Sequence, residues 1–158
     1  MKNTQSSYKG LALAILLSCL SLNTLAITPE QALEKLNEAQ LLRNSNPNQA
    51  TKIFEQLTND STLSNEPNII QEAFESLAFM NMGSGDYDQA LSYAEQLLNY
   101  GEKHNNQSVT VRAMLIQGYA QGRKSNFLKA EQHYRDALSI AKQINNSVLI
   151  AQSYERLA

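Results

Sequence analysis

The chain has 158 residues, a formal net charge of −2 and a single cysteine, Cys19. That length suits one ordinary domain, the charge leaves no basic balance for nucleic acid, and one cysteine builds neither a disulfide framework nor a cysteine zinc site. Six glycines and three prolines suit a helical chain better than a turn-rich β protein.

Residues 1–26 read as a secretory signal. Lys2 and Lys9 form a positive start without an acidic residue, Gly10 to Leu22 is an apolar run, and Thr24 and Ala26 are small residues before a cleavage point. The apolar run is about 12 residues, shorter than the roughly 18–20 a membrane-spanning helix needs. Two alternatives stay open: an uncleaved N-terminal anchor, and lipidation of Cys19, because Leu16-Leu17-Ser18-Cys19 resembles a bacterial lipobox. Cleavage after Ala26 leaves a chain without cysteine, suited to an oxidising envelope compartment. The expected location is therefore periplasmic or secreted, with membrane attachment only through the signal or Cys19.

After residue 26 the pattern predicts helices over 28–44, 47–58, 67–83, 87–104, 108–123, 127–145 and 148–158. The first opens with Thr28-Pro29-Glu30-Gln31, an N-cap threonine, proline at N1 and glutamine at N3. Ala32, Leu33, Leu36, Ala39 and Leu42 supply its apolar face. Three later helices each open on Asn or Asp: Asn46 before Pro47, Asp86 before Tyr87, Asn126 before Phe127. Each carries an apolar stripe at i, i+4 and i+7, namely Ala50, Phe54, Leu57; Ala90, Ala94, Leu97; and Ala130, Tyr134, Ala137. The alanines 50, 90 and 130 repeat every 40 residues. Ala78 and Gly118 share that period on the preceding helices, where a small residue lets two helices approach closely. Gly83-Ser84-Gly85 and Gly122-Arg123-Lys124-Ser125 read as turns within pairs, Asn105-Asn106 and Asn145-Asn146 as turns between them, with Asn65-Glu66-Pro67 in the equivalent place after the first unit.

A helix pair that leaves an apolar face for its neighbour gives an all-α solenoid. The fold expected is a right-handed α-solenoid of antiparallel pairs over 27–158, about three repeats plus one unpaired helix. Val148 to Ala158 corresponds to the first helix of a fourth repeat, so the chain is expected to be truncated or a fragment.

The second unit, from Leu77-Ala78 through Gly85-Asp86-Tyr87-Asp88-Gln89-Ala90-Leu91, resembles the tetratricopeptide repeat. The third keeps Gly118, Phe127, Ala130, Tyr134 and Ala137-Leu138, while the first has Glu38 and Pro47 where a small residue and an aromatic are usual. The 40-residue period departs from the usual 34 of that family and is shared by HEAT-type repeats, against which the Gly-Asp-Tyr signature weighs. An export signal followed by such repeats resembles the sensing regions of bacterial diguanylate cyclases and sensor histidine kinases.

The resemblance implies that the first helix of each pair lines a groove. Its positions here are Lys35 and Ala39, then Glu72, Glu75, Phe79 and Met82, then Arg112, Leu115 and Tyr119, with Glu155 on the last helix. The implied function is protein or peptide binding without catalysis, cofactor or metal; the alternative is the sensing fragment of a longer signalling enzyme. The set lacks the Lys, Asn and Arg cluster of the carboxylate-clamp subclass. His104 and His133 read as surface or partly covered residues, and Arg123-Lys124 as solvated turn charges. Met82-Gly83-Ser84-Gly85 contains a GxG without the strand or lysine a phosphate loop needs.

Overall fold

The structure is a computed structural model, described here for residues 27–158. The signal and the Cys19 reading lie outside the described residues. Within them the chain forms seven α-helices and no strand: α1 (Pro29–Leu42), α2 (Pro47–Asn59), α3 (Pro67–Ser84), α4 (Tyr87–Lys103), α5 (Gln107–Arg123), α6 (Phe127–Gln143) and α7 (Ser147–Leu157). One 3-10 turn, Ser61–Leu63, stands between α2 and α3. Each helix packs on the next in the chain, and α1 touches α3, α3 touches α5, and α5 touches α7. The result is a stack of helix pairs, the all-α repeat architecture expected from the period.

The helices start where capping chemistry places them. Thr28 and Gln31 complete a reciprocal capping box on α1, and Asn46, Asp86, Asn106 and Asn146 each accept from the backbone N–H three residues on. Asn126 departs from expectation: its amide donates to Gln121 at 2.9 Å, and its side chain caps nothing.

Four turns share one solution. Gly85, Asn105, Ser125 and Asn145 all take positive φ, at 86°, 51°, 63° and 52°. In each, the next residue's N–H reaches back five residues: Asp86 to Asn81, Asn106 to Gly101, Asn126 to Gln121 and Asn146 to Ala141. That is the Schellman closure, which satisfies carbonyls the helix end leaves free. In the Asn pairs the first residue ends one helix and the second caps the next. The Asn65-Glu66-Pro67 stretch does not repeat this device, since no residue there has positive φ and Glu66 makes no side-chain cap.

The stripes on α2, α4 and α6 are buried throughout, with Phe54, Ala90, Ala94 and Leu97 fully so. Burying a side chain the size of Phe54 or Leu97 contributes about 1.5–3 kcal/mol. Small residues permit the closest approaches: a Cβ on Gly118 would lie 2.4 Å from the Tyr134 ring. On α1, Ala32, Leu36 and Ala39 are buried, but Leu33 is 50% exposed and does not belong to the core face. Long side chains also join one pair to the next. Tyr93 donates its hydroxyl to Glu55 at 2.7 Å, and Tyr100 to the Ser64 carbonyl at 2.9 Å. Arg123 and Lys124 are not simply solvated: Arg123 sits over the Tyr87 ring and donates to its hydroxyl, and Lys124 pairs with Asp88.

Candidate functional site

The row α1, α3, α5, α7 presents one continuous cleft. On α3, residues 72, 75 and 79 fall at i, i+3 and i+7 and so share a helix face. Forty residues on, α5 places Arg112, Leu115 and Tyr119 at the same spacing, and α7 follows with Gln152 and Glu155.

The cleft has two connected parts sharing Glu75, Phe79 and Arg112. The polar part, about 520 Å³, adds Gln40, Arg43, Gln71, Glu72 and Ser76. There Arg43 donates to the Gln40 side-chain oxygen Oε1 at 3.1 Å, and the Gln40 side-chain amide donates to Glu72 at 3.0 Å and Ser76 at 2.9 Å. The apolar part, about 260 Å³, adds Leu115, Ile116, Tyr119, Glu155 and Arg156. Phe79 is 40% exposed and lies 6.5 Å from the Tyr119 ring at a tilt of 52°. The Arg156 guanidinium stands 5.1 Å over that Tyr119 ring, within cation–π range.

Glu75 lies where the two parts meet. Its Oε1 is 3.7 Å from Arg112 Nη1, and that oxygen is buried without a hydrogen-bond donor. Burial pushes the Glu75 carboxyl above the usual carboxylate range, and the positive charge of Arg112 opposes the shift.

Of the residues the sequence singled out, the fold brings Glu72, Glu75, Phe79, Arg112, Leu115, Tyr119 and Glu155 to this cleft. Three go elsewhere. Met82 is 6% exposed and packs in the core. Ala39 is wholly buried. Lys35 lines a different opening of about 910 Å³, between α1 and the end of α2, beside Gln31, Glu34, Glu38 and Asp60. The first pair is joined differently: four residues, Arg43 to Asn46, link α1 to α2, against two, Gly85 and Asp86, between α3 and α4. At about 100° per residue, Lys35 stands roughly 80–140° round α1 from Gln40 and Arg43, which do line the cleft. Stepping back 40 residues from Glu75 therefore does not find the groove side of α1. Gln40, Arg43, Gln152 and Arg156 line the cleft and were missed. Gln152 stands 40 residues after Arg112, so the period could have found it; nothing in the sequence marks the other three.

The histidines stay apart from the cleft. The His104 ring lies 4.4 Å from that of Tyr100. His133 is partly covered, and burial pushes its imidazole pKa down. Among the described residues no three His, Cys, Asp or Glu side chains gather as metal ligands, and no helix is long and apolar enough to cross a membrane.

No protein-family model matches the chain, and no curated protein matches it.

Proposed function

We propose that the chain is an exported, tetratricopeptide-type repeat module that binds a protein or peptide through the cleft on α3, α5 and α7 and catalyses no reaction. The observation that carries this is the exposed Phe79 beside Tyr119, on a surface assembled from successive repeats. Aromatic anchors seated in a cleft and rimmed by polar groups are the usual centres of binding energy. An extended or helical segment fits a surface of this length and form. Export rests on residues 1–26 alone.

The test is expression of the tagged full chain in a bacterial host, fractionation, and capture from envelope extract by wild type and by the Phe79→Ala/Tyr119→Ala double variant. The tagged chain is expected in the envelope fraction, and recovery in the cytosol alone removes the export half. Specific partners are expected with wild type, and loss of two anchors should weaken binding by about 2 kcal/mol or more, roughly thirtyfold. Equal recovery by a double variant with unchanged helicity removes the cleft from the reading.

A further inference from the structure

The apolar part of the cleft holds two carboxylates and two guanidinium groups: Glu75 and Arg112, 3.7 Å apart, with Glu155 and Arg156 on α7. A strongly basic ligand there meets Arg112 and Arg156, and a strongly acidic one meets Glu75 and Glu155. The open ring of Tyr119 is not free for a ligand cation, because Arg156 already stands over it. What remains for a ligand is the exposed edge of Phe79, the flank of Leu115, and the Glu75–Arg112 pair.

That pair is incomplete. At 3.7 Å the contact is longer than a hydrogen bond. Glu75 Oε1 is buried without a donor, and an unmatched buried acceptor is unfavourable until something supplies the missing bond. Arg112 lines the cleft and keeps about a third of its side chain exposed at 35%, and among the described residues it makes no hydrogen bond, so it has N–H groups to offer a ligand. The terminal torsion of a glutamate is soft, so a small rotation turns a Glu75 oxygen toward a donor arriving from the cleft. Acceptor and donor side by side complement a group that is itself both, which is an amide.

We infer that the subsite formed by Glu75, Arg112, Phe79 and Tyr119 receives an uncharged stretch of polypeptide in which an apolar side chain stands next to the side-chain amide of an Asn or Gln. The apolar side chain packs on Phe79. The amide carbonyl accepts from Arg112, and its N–H donates to the Glu75 carboxylate. This rests on the peptide-binding reading and adds the chemistry of the ligand to it. Glu75 acts here as a hydrogen-bond acceptor and not through net charge.

Selection of a phage library of random seven-residue peptides on the full chain tests it. The expected wild-type selection is uncharged peptides with Asn or Gln beside an apolar residue. A leading peptide, made synthetically, is expected to bind Glu75→Gln within about threefold of wild type, because the amide keeps an acceptor, and to bind Glu75→Met about tenfold more weakly. Selected peptides dominated by Lys and Arg or by Asp and Glu overturn the inference while leaving the peptide-binding reading standing. So does a Glu75→Met protein that binds as wild type does. Failure to select any peptide removes both. The composition of the wild-type selection decides the matter whatever the stability of the variants.

Discussion

The first helix pair and the two that follow are built on different turns. From α3 onward, every turn contains one left-handed residue and closes with an N–H reaching back five residues. Around α1 and α2 neither feature occurs: Asn46 reaches back only to Leu42, and a 3-10 turn leads into Glu66. The same chain thus carries a regular region, where 40 residues bring each side chain back to the same face, and an irregular one, where they do not. Periodicity carried the cleft positions from α3 to α5, whose turns match, and failed at α1, whose turn is longer.

The largest expected effect comes from forcing the first pair into the regular pattern. Deleting the exposed Asn44 and Ser45 shortens the α1–α2 turn to two residues and forces α1 out of its present register against α2 and α3. Ala32, Leu36 and Ala39 then leave the core, and a stability loss of about 3 kcal/mol or more is expected in denaturant unfolding. Hydrogen exchange should show α1 unprotected while α3 to α7 remain protected; retained α1 protection contradicts the register argument.

Gly118→Ala probes the regular region. The new Cβ meets the Tyr134 ring, and overpacking of this kind costs about 1–3 kcal/mol, against roughly 1 kcal/mol gained from helix propensity. A net loss is expected by thermal melting. Gly83→Ala serves as the counterpart, because nothing lies within 4 Å of its added Cβ; it should stabilise by about 0.5–1 kcal/mol. If both changes act with the same sign, close approach at Gly118 is not what selects glycine there.

A gain of similar size separates the four left-handed turns from one another. Ser125 holds φ 63° without the local advantage of Asn or the freedom of Gly. Ser125→Gly should stabilise by about 1 kcal/mol in chemical denaturation, and Asn105→Gly by less, since Asn tolerates this conformation. A larger gain at Asn105 would contradict that ranking.

The sequence alone determined the helices, their stripes and the stacking of pairs. Ala50, Ala90 and Ala130 mark the period, and capping residues mark each helix start with the exceptions of Glu66 and Asn126. These are local and periodic signals, and backbone chemistry reads them without knowledge of neighbours. The cleft was legible on α3 and α5, where Glu75, Phe79, Leu115 and Tyr119 recur in register. Only the tertiary structure decided that Met82 and Ala39 turn inward, that Lys35 belongs to another opening, and that Gln40, Arg43 and Arg156 complete the surface. Those outcomes depend on helix phase across an irregular turn and on long side chains reaching between helices, and neither leaves a periodic trace in the order of residues.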